Sequence, residues 1–336
     1  MFFVGIDLHK KTITLCVVNQ QRQVWQRQTL HCSEPEKIRR FFAELGPFQA
    51  VVEATASYEW LWQLLEPLAE RLVLAHPKKL RIIAESTRKS DRLDAQVLAE
   101  FLALGMIPEA YRPTPRQRQQ RVLVRQRCYL RKQITALKNK LRRILSNYNA
   151  DRKDLFSAEG LAYLAEIKVL AVDRVVIDQL RGLWEYLEKQ LAGLDQELRS
   201  FARQAPVREQ EARAVLESIP GVGAVTVDVV LAEVGDVQRF RSEKRVASYA
   251  GLAPGQRESA GRSKELGISK EGSRLLRWAL VEAAWRLVRH SQRWQRVYEQ
   301  LCKRRGKKKA IVAVARRLLG VMVALLRSGQ AYRLAS

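Results

Sequence analysis

A chain of 336 residues is long enough for two or three domains, each with its own core. It carries 60 Lys+Arg against 35 Asp+Glu, a formal charge of +25, which favours a polyanionic partner. No apolar stretch reaches the roughly 18 residues that a membrane span needs, and no charged-then-apolar signal pattern is seen, so the sequence predicts a cytoplasmic protein with no membrane partner.

The first hundred residues alternate strand and helix signals. Residues 2–8 and 12–18 read as strands joined by a polar turn around Lys10-Lys11, and a third strand falls within 23–32. Ser33, with Glu36 three residues on in capping-box spacing, predicts a helix through about Leu45. A short apolar strand at 49–53, a helix rich in Trp and Leu at 58–70 and a strand at 71–75 follow. Another amphipathic helix begins near Asp91. This order predicts a mixed α/β sheet with helices packed on it. The strands of Asp7 and Glu53 can then be neighbours, with the Asp91 helix laid across them.

From Ala110 to Ala150 there is no Asp or Glu but there are twelve Arg or Lys. A helix is predicted from about Arg116 to Tyr148, with Val122, Val124, Leu130, Ile134, Leu137, Leu141, Ile144 and Leu145 at helical spacing and an almost wholly cationic opposite face. A second helix, about 173–204, repeats apolar residues in the 3–4 spacing of a coiled-coil or helical-hairpin seam. Soluble surfaces usually intersperse both signs, so the acid-free face reads as a nucleic-acid contact carrying Arg125, Arg131, Lys138 and Arg142.

The last third is mainly helical. Ser218-Ile219-Pro220-Gly221-Val222-Gly223 precedes a helix at 224–234 and resembles a helix–hairpin–helix. There, Gly221 and Gly223 would let backbone N–H groups approach a phosphate. The same pattern also fits an ordinary packing corner between helices. Tyr249-Ala250-Gly251-Leu252-Ala253-Pro254 leads into a polar loop, Gly255 to Gly267, which contains Ser259 and Ser263, and Ser269 opens the next helical segment. A basic cluster ending in Lys307, Lys308 and Lys309 precedes an apolar helix at 311–326, which Arg316-Arg317 interrupt too strongly for a membrane span.

Four carboxylates carry the chemistry. Asp7 ends the run Phe2-Phe3-Val4-Gly5-Ile6, Glu53 ends Ala50-Val51-Val52, and Asp91 and Asp94 lie three apart at a helix start. Acids at strand ends and on one helix face can converge on Mg²⁺, which prefers hard oxygen ligands. On so basic a protein the natural substrate is a phosphodiester, so the chain reads as a nucleic-acid phosphoryl-transfer enzyme. Singly, Asp91 and Asp94 also suit a helix N-terminus and Asp7 a strand end, whereas Glu53 after three apolar residues needs a partner. His9, two residues after Asp7, reads as a solvated strand-end histidine, with contact to an active site as the alternative. Cys16, Cys32, Cys128 and Cys302 show no CxxC and no Cys/His spacing, which argues against a disulfide framework or zinc site.

In this order and spacing the motifs resemble the DEDD-type insertion-sequence transposases of the IS-one-ten family, related to site-specific DNA invertases and to bridge-RNA-guided recombinases. The resemblance covers roughly residues 1–110, through Val-Gly-Ile-Asp7, Val-Val-Glu53-Ala-Thr and Lys-Ser-Asp91-Arg-Leu-Asp94-Ala. It covers roughly 211–332 through Ser-Ile-Pro-Gly-Val-Gly, Tyr-Ala-Gly-Leu-Ala-Pro, the serine-bearing loop, the Ser-Lys-Glu-Gly-Ser segment and Gly-Lys-Lys-Lys-Ala.

The resemblance implies an RNase H-like, RuvC-like catalytic domain at 1–112, a basic helical coiled-coil region at 113–210 and a C-terminal transposase domain at 211–336. It implies a metal site of Asp7, Glu53, Asp91 and Asp94 holding one or two Mg²⁺, and a serine nucleophile at Glu258-Ser259, with Ser263 and Ser269 as alternatives. The implied partners are DNA at the element ends and target, a guide (bridge) RNA, and further copies of the chain in a dimer or tetramer, in which acids and serine meet between protomers. Two other functions compete: a metal-dependent Holliday-junction resolvase or nuclease using the acids alone, and a non-catalytic nucleic-acid-binding protein. A covalent protein–DNA adduct separates the first reading from the second, and dependence of cleavage on Asp7 excludes the third.

Overall fold

The apolar runs at the start of the chain build a five-stranded sheet. β1 (Phe2–Leu8) pairs antiparallel with β2 (Thr12–Val18), and β2 with β3 (Val24–His31). α1 (Pro35–Glu44) leads to β4 (Phe48–Glu53), and α2 (Glu59–Leu65) to β5 (Arg71–Ala75). These two strands lie parallel to β1, in the order β3-β2-β1-β4-β5. β1 and β4 are therefore direct neighbours.

Alternate residues face opposite sides of a strand, and here both sides are covered. Val4, Ile6, Leu15, Val17, Ala50 and Val52 pack with Ile38, Phe42, Leu61 and Leu65 of α1 and α2. The opposite residues, Cys16, Val18, Val51 and Val73, meet α3 (Pro77–Ile83) and α4 (Asp91–Ala103) through Leu80, Ala95, Leu98, Ala99 and Leu102.

Two predicted boundaries shift, each at a proline. The N-cap of α1 is Glu34 rather than Ser33, with no side-chain cap and with Pro35, whose φ is preset for a first helical position, just inside. α2 stops at Leu65 instead of reaching residue 70, because Pro67 has no N–H to continue the ladder.

The structure, a computed structural model, describes residues 1–54, 57–83, 91–259 and 262–333, without the side chains of 81–83, 91–93, 256–259 and 262–266. The chain divides into two compact units, Met1–Arg112 and Pro113–Ser336.

The second unit opens with α5 (Pro115–Ser146), begun by a full capping box between Thr114 and Gln117. α6 (Ala158–Glu166) and α7 (Ala171–Arg203) follow. Leu130 and Ile134 cluster with Trp184 and Leu191, and Leu141 and Leu145 with Ile177 and Leu180. α5 and α7 thus form an antiparallel hairpin, one of the two seams that the spacing allowed. α8 (Val207–Glu217), α9 (Ala224–Val234) and α10 (Glu243–Tyr249) come next, then β6 (Pro254–Ser259), β7 (Arg262–Ile268), α11 (Arg274–His290), α12 (Gln292–Arg305) and α13 (Lys307–Ser328). α9 is apolar nearly all round and sits at the centre of this core. The expected polar loop at 255–267 is instead an antiparallel hairpin. Among the described residues no helix is long and apolar enough to cross a membrane.

Candidate functional site

The parallel register of β1 and β4 ends at the pair Ile6–Val52. Asp7 and Glu53 stand one residue further on, side by side at the same edge of the sheet. Each lies two residues beyond a member of the Gly5–Val51 pair. They therefore share the face of Phe3, Gly5 and Val51, which is the face that α4 covers.

Gly5 fixes how α4 lies. A Cβ at this position would fall 1.9 Å from the Ala95 carbonyl oxygen and 2.5 Å from the Ala99 nitrogen, so helix and strand backbones touch. Ala103 and Phe3, at the beginning of β1, pack against the same cluster of Cys16, Val18, Ala95 and Ala99, which fits α4 running opposite to the strand. Its first turn, with Asp91 and Asp94, is directed toward the strand end of Asp7. Asp94 is exposed, and the Asp91 side chain lies outside the described residues. The signal that reasoning from sequence passed over was Gly5 itself, a glycine inside a buried strand, which marks a close backbone approach.

The Asp7 side chain is 17% exposed, and its Oδ2 lies 3.0 Å from His9 Nε2. His9, 48% exposed, is held there because its backbone N–H donates to Thr12 O and closes the β1–β2 turn. Glu53 is half-buried beside Ala75 of β5. Among the described residues no three His, Cys, Asp or Glu side chains form a cluster that could hold a metal ion. The side chains at these two neighbouring strand ends are carboxylates, whose oxygens suit a hard divalent cation.

The second constellation is the hairpin of β6 and β7. Ser259, the last residue of β6, pairs with Arg262, the first of β7, and Glu258 pairs with Ser263. The side chains of Ser259 and Ser263 fall outside the described residues. Ser269 is exposed at the base, where its N–H donates to Ala253 O at 2.9 Å.

That base is a backbone clamp. A Cβ on Gly251 would lie 1.9 Å from Glu271 O, and one on Gly272 would lie 2.0 Å from Tyr249 O. Both glycines have positive φ, +68° and +90°. Arg277 Nη1 donates to the carbonyls of Ala250, Glu271 and Gly272 at 3.1–3.2 Å, tying the two segments together. The Tyr-Ala-Gly-Leu and Ser-Lys-Glu-Gly motifs are thus the two halves of the root that presents the serine hairpin.

The basic helix α5 divides into two sets of cations. Arg125 makes a two-pronged pair with Glu233, 2.9 and 3.2 Å, whose side chain is only 3% exposed in α9. The pairing raises the Arg125 pKa, first through the Glu233 hydrogen bond. Lys138 pairs with Glu188 at 3.2 Å and lies over the rings of Phe156 and Trp184. Arg142 holds Asp151 and the carbonyls of Arg152 and Lys153. These three brace the unit internally, whereas Arg131 is exposed, as are Lys132, Lys140 and Arg143.

Gly221 has φ +78°, and a Cβ there would meet Arg286 Cβ at 2.8 Å, so packing on α11 explains this glycine. Gly223 is the N-cap of α9 and supplies no side-chain cap. Lys307, Lys308 and Lys309 are all exposed in the first turn of α13, where the expected apolar helix begins four residues early.

Known proteins match both ends of the chain. Residues 4–150 match the DEDD family model of IS110-type elements, described as Transposase, and residues 213–299 match the model described as Transposase IS116/IS110/IS902 family. The transposase for insertion sequence element IS1111A of Coxiella burnetii is 28% identical over 98% of this chain and 91% of its own. A probable family 20 transposase of Pseudomonas aeruginosa is 26% identical over 98% of each. The pilin gene-inverting protein of Moraxella bovis is 24% identical over 98% of this chain and 97% of its own.

Proposed function

Because the chain belongs to the IS110-type DEDD transposases and is a DNA recombination enzyme, we propose that it cuts, exchanges and rejoins the strands of a mobile DNA element with four acids and a serine. The observation that carries this reading is the placement of Asp7 and Glu53 on adjacent parallel strand ends, on the sheet face crossed by the helix of Asp91 and Asp94. In this reading the first unit is RNase H-like, its mixed order β3-β2-β1-β4-β5 supporting that assignment.

Asp7, Glu53, Asp91 and Asp94 would hold one or two Mg²⁺. A bound Mg²⁺ would neutralise charge on the scissile phosphate and help orient the attack. The His9 contact holds the Asp7 carboxylate in place at the strand end. Ser259, at the end of β6, supplies the nucleophile: its Oγ loses a proton and bonds to phosphorus, while the bond to the leaving DNA oxygen breaks and that oxygen takes up a proton. The phosphoserine ester keeps the phosphodiester energy, so the reverse attack by a DNA hydroxyl rejoins a strand without an external energy source. Guidance by an RNA, assembly of two or four copies in the cytoplasm, and meeting of acids and serine between protomers complete the proposal. The hydrolytic alternative gains less support, since a relative named for inverting a gene must rejoin what it cuts.

The experiment is plasmid recombination by the full chain with Asp7→Asn and Glu53→Gln. Loss of strand exchange with retained fold and DNA binding is expected, because charge stabilisation at the phosphate is removed and the core is not. Normal recombination in both variants would overturn the metal-site assignment.

A further inference from the structure

Inside the second unit lies an open cleft of about 370 Å³ between α5, α7, α8 and the start of α9. Its size falls in the range of small-molecule sites, about 300–1,000 Å³. It adjoins a narrow crevice lined by Trp278 and Leu275 of α11, sharing Arg127, Leu198, Val225 and Asp228 with it.

Three arginines line the cleft. Arg127 pairs with Asp195 at 2.5 Å. Arg213 is 9% exposed, with its Nη2 2.7 Å from Asp228 Oδ1 and its Nε donating to Glu209 at 3.3 Å. Arg199 is exposed and has no ion pair among the described residues. At the floor, Ala224 and Val225 open α9 behind Gly223, a cap without a side chain, and amides so placed attract anions. Asp195 and Asp228 are matched by Arg127 and Arg213, and Glu217 stands exposed at the rim. Trp278, which lines the adjoining crevice together with Arg127, is 48% exposed.

A free cation, uncapped amides and an open aromatic face fit one ligand chemistry. We propose that this cleft and Trp278 seat one unpaired nucleotide of a nucleic-acid strand, with its phosphate toward Arg199 and the start of α9 and its base stacked on Trp278. Base–aromatic stacking accepts any base, so the seat positions a strand and leaves its sequence unread. The inference rests on the proposed nucleic-acid function but concerns one surface of one unit.

The test measures binding of the full chain to fluorescein-labelled oligo(U), oligo(dT) and a duplex of the same length. Trp278→Ala should weaken single-strand binding at least about fivefold and leave duplex binding unchanged, while Trp278→Phe keeps most of the affinity. Arg199→Ala should flatten the single-strand salt slope by about 0.7, and Glu217→Gln should tighten binding. A preference for oligo(U) or for oligo(dT) tells whether RNA or DNA supplies the nucleotide. Unchanged single-strand affinity in Trp278→Ala, or equal loss on the duplex, overturns the seat. Unchanged affinity with impaired self-association would make Trp278 an interface between copies and likewise overturn it. Absence of all nucleic-acid binding by the unsubstituted protein would instead overturn the proposed function.

Discussion

Gly5 and Ala95 are in backbone contact: no atom larger than hydrogen fits between the Gly5 Cα and the Ala95 carbonyl oxygen of α4. This single approach sets how far the helix of Asp91 and Asp94 stands above the strand of Asp7. Position 5 thus links packing to chemistry.

Gly5→Ala is expected to lift α4 from the sheet, costing about 3 kcal/mol of stability and about 100-fold in recombination. Gly182→Ala is the control. Gly182 lies inside α7 with nothing within 4 Å of the added methyl, so this change should stabilise by about 0.5–1 kcal/mol. Thermal denaturation and a plasmid assay of both variants measure the contrast. Equal behaviour would remove Gly5 from the account of the site.

The cations of α5 should separate by experiment into braces and nucleic-acid ligands. Arg125→Ala leaves the buried Glu233 carboxylate uncompensated and is expected to cost about 3 kcal/mol. Neutralising the exposed Arg131, Lys132, Lys140 and Arg143 together should leave stability nearly unchanged. It should also flatten the dependence of log affinity on log salt by about 0.9 for each duplex phosphate that is no longer neutralised. An unchanged slope would make this face a solvated spacer.

The strands were legible because their apolar runs alternate or are fully buried, and those runs put Asp7 and Glu53 at strand ends; that the two share a face follows only from the β1–β4 register. Which face received α4 was not legible, since that depends on Gly5 meeting Ala95 across about ninety positions. The hairpin of β6 and β7 was hidden because Gln256, Arg257, Glu258, Ser263, Lys264 and Glu265 give no apolar period to betray strands. Composition exposed the cations of α5 but not their partners. Glu188 and Glu233 are remote in sequence, 50 and 108 residues from Lys138 and Arg125.

The buried carboxyl of Asp228 should give the second unit a pH signature. Burial raises its pKa above the ordinary 3.8, opposed by the Arg213 charge and the Gln120 hydrogen bond. A folded acid with a raised pKa holds its proton more tightly than the unfolded chain does. Its contribution to stability is therefore most favourable near and below 3.8 and declines as pH rises through the folded value. Urea denaturation of wild type and Asp228→Asn across that range should differ in slope, with the variant lacking this decline. Parallel profiles would show that Asp228 is not the group responsible.

The most direct measurement is mass spectrometry of the full chain trapped on a suicide DNA substrate, whose leaving end is lost after the first cut. A DNA phosphate linked to Ser259 is expected, absent in Ser259→Ala, which should still bind DNA. A link to Ser263 or Ser269 would move the nucleophile along the same hairpin and its root. Cleavage that depends on Asp7 and Glu53 but leaves no protein–DNA adduct on any residue would contradict the covalent mechanism and leave the acids to act alone.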